Sequence, residues 1–244
     1  LRQDSPHFHA DCAFFGENLI APKPGAAEPY FNQRGQGWTT DVIKHDVELN
    51  GHTSLPRLSR VLNAVEGDVT AWAAFLETML RSDFDSVRRT AGEMLAKQQD
   101  SPKEFGSIMG EIYAHLKFLD DPVVCAALED DPDGLDLSVL CDQDRVANVY
   151  LNVPAEYFGI WAPVIRLFFT AAMLHKGRRP DVPRVTLIVD EAGQLGTFEA
   201  LLRAFTFGRG AGVRAWALFQ DAGQVTRNFG PTGLQSYIGS AQVR

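Results

Sequence analysis

Apolar residues between positions 31 and about 120 recur every three or four positions, which is the spacing of amphipathic helices. A break at Asn50-Gly51 and helix-start signals at Pro56, Thr70 and Ser101-Pro-Lys-Glu104 divide the region. Because strand-like alternation is absent from this stretch of sequence, we expect a compact all-α domain. Its predicted apolar faces contain Trp38, Val42, Ile43 and Val47; Leu58, Val61 and Leu62; Trp72, Phe75, Leu76, Met79 and Leu80; Phe84, Val87, Ala91, Met94 and Leu95; and Phe105, Ile108, Ile112, Leu116 and Leu119.

From about residue 133 the pattern changes to short apolar runs that alternate with longer helical ones. The short runs are rich in β-branched or aromatic residues, and they predict strands over residues 147–153, 184–190 and 213–219. The intervening helices are predicted over residues 157–176 and 197–209. Such alternation indicates a parallel sheet with right-handed crossover helices, which is an α/β fold.

Composition and charge exclude several classes of protein. The chain has 244 residues, 45% of them apolar, and a formal net charge of −8, which argues against a free-standing nucleic-acid-binding protein covered with Lys and Arg. The three cysteines, Cys12, Cys125 and Cys141, show neither zinc-binding nor C-x-x-C spacing, which indicates a reducing compartment. The apolar run at residues 160–174 is shorter than the roughly 20 residues of a membrane span, so we expect a core helix there.

The segment with the clearest chemistry is residues 185–191, an apolar, strand-like run that ends in two adjacent carboxylates. It has the form of a Walker B segment, in which a buried strand brings acids to the carboxyl edge of a sheet. There Asp190 would help to hold Mg²⁺, and Glu191 would polarise the water that attacks a γ-phosphate. The simpler alternative is that the two acids cap the following helix, whose dipole favours negative charge.

Two further polar residues lie where a nucleotide-hydrolysing sheet would use them. Gln220 follows the third predicted strand, where its amide can contact both a γ-phosphate and the attacking water; the alternative is a turn residue. Arg209 lies between glycines at the end of a predicted helix, which suits an arginine finger that reaches a neighbouring subunit's nucleotide. Its alternative is a solvated arginine at the negative end of the helix dipole.

The phosphate-binding loop G-x-x-x-x-G-K-S/T does not occur in the sequence. The glycine-containing stretch at residues 35–40 lacks both the lysine and the spacing. We therefore do not expect this chain by itself to hydrolyse ATP. Because it begins at Leu1 without an initiator Met and ends inside a predicted ordered segment, we expect it to be part of a longer protein.

The order of motifs over residues 100–244 resembles the VirD4/TraG/TraD family, the coupling proteins of type IV secretion and conjugation. The Walker B and glutamine segments are shared by many RecA-like motors, whereas their order together with two upstream segments is more specific. The resemblance is carried by SIMGEIYAHL (107–116), FLDDP (118–122), VYLNVP (149–154), WAPVIRL (161–167), VTLIVDE (185–191), RGAGV (209–213) and FQDAGQ (219–224).

The resemblance implies a RecA-like P-loop NTPase sheet domain with an all-α domain inserted between the P-loop and Walker B. Residues 1–30 and 133–244 would then belong to the RecA-like domain, and residues 31–132 would form the insertion. It also implies a homohexamer on the cytoplasmic face of the bacterial inner membrane, held there by an N-terminal anchor missing from this chain. The implied partners are single-stranded DNA, relaxase, relaxosome or effector proteins, and components of the type IV secretion channel.

The same resemblance assigns roles to four residues and implies ATP and Mg²⁺ as cofactors. Asp190 would be the acid on the Mg²⁺ side and Glu191 the catalytic carboxylate. Arg209 would act in trans on a neighbour's nucleotide, and Gln220 would sense the γ-phosphate. Two alternatives stay open at this point: a RecA-like DNA-translocating motor of the FtsK or HerA type, and a non-hydrolytic module that docks substrates.

Overall fold

The computed structural model describes residues 1–22, 29–129, 131, 134–179 and 181–241, which fall into two compact units. The first unit comprises Leu1–Ile20 and Glu28–Gly134, and the second comprises Ala21–Ala27 and Leu135–Arg244. Within their described residues, the first contains only helices as regular structure, and the second combines helices with parallel strands.

The helices of the first unit are α1 (Phe8–Leu19), α2 (Tyr30–Asn50), α3 (Leu55–Gly67), α4 (Val69–Leu80), α5 (Asp85–Asp100), α6 (Pro102–Leu116) and α7 (Pro122–Leu128), with a 3₁₀ turn at Lys117–Asp120. α2 is the central helix, because it packs against α1, α3, α5 and α6. Its buried apolar residues are those predicted from the spacing: Trp38, Val42, Ile43 and Val47. The predicted spacing is therefore confirmed for α2, whereas Leu80, expected on the same apolar face as Trp72, is 41% exposed.

At two predicted helix starts the side-chain capping differs from what the sequence suggested. α4 is capped by Asp68 rather than Thr70, because the helix begins at Val69 and the Asp68 carboxylate accepts a backbone N–H of its first turn. Ser101 precedes α6 without a side-chain capping bond. Glu104 does not complete a capping box there, since its carboxylate binds Lys97 and the Tyr30 hydroxyl instead.

α1 belongs to the helical unit, whereas residues 1–30 were expected to lie with the sheet. The reason is a close approach of α1 to α2, since a Cβ on Gly16 would lie 2.2 Å from the Thr40 hydroxyl oxygen. α1 also buries three apolar side chains, those of Phe8, Cys12 and Leu19.

A buried polar cluster joins α2 to α5. The Asp41 carboxylate accepts hydrogen bonds from Lys44 Nζ (2.8 Å), Ser86 Oγ (2.8 Å) and Thr90 Oγ1 (2.7 Å). Asp41 and Lys44 are 7% and 8% exposed, so neither charge is solvated in the folded state. A buried carboxylate with three donors is satisfied, and Lys44 Nζ also donates to Ser86 Oγ at 3.2 Å, so these side chains form one network around Asp41.

Replacing Asp41 with alanine should lower the free energy of unfolding by about 3 kcal/mol or more, because Lys44 would be left as a buried charge without its partner. Urea denaturation followed by circular dichroism would measure this loss. The control is Asp85→Ala, which removes an exposed ion pair with Arg88 and should cost no more than about 1 kcal/mol. Equal losses for the two variants would contradict a structural role for the buried cluster.

The second unit contains α8 (Phe158–Gly177), β1 (Val185–Val189), α9 (Glu199–Phe207), β2 (Val213–Ala217) and α10 (Ala222–Ser240), with 3₁₀ turns at Leu137–Cys141, Ala155–Tyr157 and Ala192–Leu195. β1 and β2 pair in parallel, with Val185 opposite Val213 and Val189 opposite Ala217. α9 makes the crossover between them. The predicted α/β class and parallel pairing are confirmed.

One face of this sheet is packed and the other is open. α8 and α9 cover the packed face with a core of Ala172, Val185, Leu187, Ala204 and Val213. The opposite face, which we call the open face, presents Thr186, Ile188, Arg214 and Trp216. Ile188 is 61% and Trp216 is 63% exposed, although both are large apolar side chains. Residues 185–189 therefore alternate between buried and exposed rather than being buried throughout.

The strand predicted over residues 147–153 is wrong for this structure, because these residues pair with neither β1 nor β2. They line a cavity of about 720 Å³ together with residues 183–190, which include β1. β-branched and aromatic residues favour an extended backbone, but a strand also needs a partner for its N–H and C=O groups.

One described segment, Ala155–Gly177, is long and apolar enough to cross a membrane by length and composition, with a mean hydropathy of 1.5. Core helices of globular proteins meet the same criterion. Here Ala172 packs in the sheet core, and Arg166 and Lys176 are buried within the unit. These contacts agree with the predicted core helix.

Candidate functional site

The two acids of the Walker B-like segment lie at the carboxyl end of β1, as expected. Successive side chains of β1 alternate between the core and solvent, so Val189 is buried and the next side chain, Asp190, is exposed. Asp190 Oδ1 accepts a hydrogen bond from the Glu191 backbone N–H at 3.1 Å. The strand thus delivers one solvent-facing carboxylate at its end, and the chain turns immediately after it.

Glu191 makes this turn in the left-handed region, with φ 53° and ψ 39°. Among the described residues it is the only non-glycine residue with a positive φ. Such a conformation costs about 1–3 kcal/mol and persists only where the surroundings impose it. Here two backbone hydrogen bonds to Leu218, the residue after β2, impose it. Ala192 N–H donates to Leu218 O at 2.9 Å, and Leu218 N–H donates to Val189 O at 3.0 Å.

The left-handed turn brings Glu191 to Gln220, which follows β2. Gln220 Nε2 donates to Glu191 Oε2 at 2.9 Å and to Oε1 at 3.2 Å. Gln220 is exposed and Glu191 is half-buried, so the pair is accessible to a ligand from solvent. The structure therefore brings together three of the four residues singled out in the sequence: Asp190, Glu191 and Gln220.

Sequence reasoning missed Gln224 as a functional candidate. This side chain on the first turn of α10 is only 7% exposed, and its Oε1 accepts the Gln220 backbone N–H at 2.9 Å. Its Nε2 also donates to Gln220 Oε1 at 3.3 Å. The available signal was its position four residues after Gln220 in the FQDAGQ segment, which brings its side chain back toward Gln220.

The loop after the acids is fixed from two sides. From α10, Asn228 Nδ2 donates to Gly193 O at 2.9 Å, and Thr197 Oγ1 donates to Asn228 O at 2.9 Å. From α8, Arg166 Nη1 donates to Leu195 O at 2.8 Å. Burial lowers the pKa of Arg166 to about 10, so the guanidinium remains charged at neutral pH beneath the loop. Hydrogen bonds from two helices therefore fix the loop that follows Asp190 and Glu191.

Arg209 lies apart from these residues. It precedes β2, at the amino edge of the sheet, whereas Glu191 and Gln220 lie at the carboxyl edge. The five-residue strand between these edges spans roughly 13 Å at about 3.3 Å per residue. Arg209 is exposed, and none of the ion pairs found among the described residues involves it. Within one chain it is therefore not part of the carboxylate site.

The site offers two carboxylates to a cation. Among the residues that the structure describes, no group of three or more His, Cys, Asp and Glu side chains gathers in a way that could hold a metal ion. An ion beside Asp190 would therefore take its other ligands from water or from a bound anion, which is how Mg²⁺ commonly binds with phosphates.

Comparison with known proteins identifies the family. The family model described as "Type IV secretory system Conjugative DNA transfer" matches residues 2–244. The chain belongs to this family. The resemblance to VirD4/TraG/TraD coupling proteins is thereby confirmed. No curated protein matches the chain significantly.

Solved structures of the conjugative coupling protein TrwB share the fold. One, TrwBdeltaN70 in complex with sulphate, superposes with a TM-score of 0.65 at 18% identity, covering 95% of this chain and 51% of that one. TrwB in complex with ADP and Mg²⁺ gives a TM-score of 0.66 at 18% identity, covering 95% and 52%. TrwB with the non-hydrolysable GTP analogue GDPNP gives 0.65. The chain spans about half the length of these structures.

The left-handed turn at Glu191 yields a stability prediction. Glu191→Gly should be more stable than Glu191→Ala by about 1 kcal/mol, because glycine alone adopts this conformation without a Cβ clash. Urea denaturation of the two variants measures the difference directly.

The control for this comparison is Ala96→Gly on an exposed position of α5, where glycine should instead cost about 1 kcal/mol. If glycine were also the less stable residue at position 191, the turn would not be left-handed in solution.

Proposed function

We propose that this chain carries the water-activating half of the ATPase site of a coupling protein that delivers DNA, protein or both to a type IV secretion channel in conjugative transfer. One observation carries the proposal: the Gln220 amide donates to both oxygens of Glu191, next to the exposed carboxylate of Asp190. Two acids and one amide at the carboxyl edge of a parallel sheet suit water activation and phosphate sensing.

The residues present fit one part of a nucleotide. An exposed carboxylate such as Asp190 is the hard oxygen ligand that Mg²⁺ prefers, and it is free to reach solvent. When bound, Mg²⁺ neutralises charge on the β- and γ-phosphates. Because the sequence contains no G-x-x-x-x-G-K-S/T loop, these residues would serve only the metal and water side of ATP. The phosphate cradle must come from the rest of the coupling protein.

In this arrangement each of the three residues has a distinct task. Glu191 would accept a hydrogen bond from the attacking water and orient it. Gln220 now donates to that carboxylate, and its exposed amide can shift toward a phosphate oxygen placed between them. Such a shift would release a carboxylate oxygen for water at the moment that nucleotide is present.

The position of Arg209 suits a role between subunits. It is exposed at the edge of the sheet opposite the acids, so it cannot serve its own chain's site but can reach another copy. We therefore propose a homohexameric ring on the cytoplasmic side of the inner membrane, in which Arg209 completes the neighbour's site. The net charge of −8 is compatible with few direct contacts to DNA on this part of the ring.

Glu191→Gln in the intact coupling protein should reduce kcat for ATP about 100-fold or more, since the amide no longer polarises water. Nucleotide affinity should change little, because the substitution preserves shape near the phosphates. Steady-state ATPase assays and equilibrium binding of a fluorescent ATP analogue would measure the two quantities, and mating frequency would report transfer.

The matched control is Glu199→Gln, the same change at the exposed start of α9. It should leave hydrolysis and transfer unchanged. Normal transfer by the Glu191→Gln protein would instead support a non-hydrolytic docking module.

The trans role of Arg209 can be tested by mixing two inactive proteins. Arg209→Ala and Glu191→Gln should each lack activity, whereas co-assembled rings should regain it at about a quarter of their interfaces, where an intact Glu191 meets an intact Arg209. ATPase activity measured against the mixing ratio checks this. Activity that never rises above that of the separate variants would place Arg209 in its own subunit's site or outside any site.

A further inference from the structure

We propose that Gln224 is a positioning residue that determines which end of the Gln220 amide faces Glu191. This inference rests on the proposed hydrolytic function and assigns a residue to it. Gln224 is buried at 7% exposure, which is unusual for an amide side chain on the first turn of a helix at the sheet edge. A buried amide needs partners, and those of Gln224 are on Gln220.

Gln224 binds Gln220 at two points. Its Oε1 accepts the Gln220 backbone N–H at 2.9 Å, which holds the main chain where it leaves β2. Its Nε2 donates to Gln220 Oε1 at 3.3 Å, which occupies the oxygen end of that amide. Since one end of the Gln220 amide is an acceptor and the other a donor, occupation of the oxygen leaves the NH₂ group to face Glu191.

The reversed orientation of the Gln220 amide is opposed at two places, at the Glu191 carboxylate and at Gln224. Reversal would set the Gln220 amide oxygen against the Glu191 carboxylate, and it would set two NH₂ groups against each other at Gln224. Without Gln224, the second conflict disappears and the Gln220 side chain gains rotational freedom. Gln224 therefore fixes the donor of Gln220 on the carboxylate that is to orient water.

Gly193 provides the space that this arrangement needs. A Cβ at position 193 would lie 2.2 Å from Gln224 Oε1 and 2.5 Å from its Cδ. Gly193 does not have a left-handed φ, so alanine there conflicts with the Gln224 amide rather than with its own backbone. Gly193→Ala should therefore displace Gln224 without removing it.

The test uses the intact coupling protein with three variants. Gln224→Met removes both polar contacts at similar size. Gln224→Glu keeps an acceptor for the Gln220 backbone N–H but cannot donate to Gln220 Oε1. Gln235→Met is the matched control, because Gln235 is an exposed glutamine on α10 beyond the kink at Gly230.

Both Gln224 variants should lower kcat for ATP about 10- to 100-fold. KM for ATP should stay within about twofold, because no phosphate contact is removed. The control should match the wild type in both. Melting temperatures report folding independently of activity.

Gly193→Ala should reproduce the loss of kcat, and the Gly193→Ala/Gln224→Met double variant should be no worse than either single one, because both act through the same contact. Additive losses would overturn the proposal. So would normal kcat in Gln224→Glu together with reduced kcat in Gln224→Met, since that pattern assigns Gln224 only a backbone-capping role.

Failure of this inference is distinguishable from failure of the proposed function. Suppose that the wild-type protein hydrolyses ATP, that Gln220→Ala does not, and that both Gln224 variants behave as wild type. The positioning role is then overturned, while the proposed function stands. If Gln220→Ala and Glu191→Gln are as active as wild type, the proposed function fails first.

Discussion

The parallel pairing of β1 with β2 is the contact on which the site depends. The pairing continues past the last ladder residues through the bonds that link Val189, Leu218 and Ala192, and this continuation forces the turn at Glu191. A slip of one residue would move every side chain of β1 to the other face, including buried Leu187. The meeting of acid and amide is therefore a consequence of strand register, which the core holds in place.

Much of the fold could be predicted because helical spacing is a local signal. The apolar residues of α2, such as Trp38 and Val42, are buried where the 3.6-residue period places them. Long-range contacts carry no such signal. The packing of α1 on α2 depends on the space at Gly16 opposite Thr40, and an extended segment becomes a strand only if a partner backbone meets it, as residues 147–153 show.

The site was predictable to the level of strand ends and no further. Carboxyl ends of neighbouring parallel strands lie side by side, so the approach of Glu191 to Gln220 followed from the order of elements. The left-handed backbone of Glu191 did not, since glutamate has no preference for it. The position of the Gln224 side chain could not be predicted either. It requires that no side chain be present at Gly193, thirty-one positions earlier in the chain.

The open face of the sheet gives the protein a built-in optical reporter. Of the four tryptophans, Trp38 and Trp72 are buried at 1% and 2% exposure and Trp161 is intermediate, whereas Trp216 is 63% exposed on that face. An indole in water emits at longer wavelength than one enclosed by apolar groups. Any polypeptide or surface that covers Ile188 and Trp216 would therefore shift the fluorescence of the unmodified chain toward the blue.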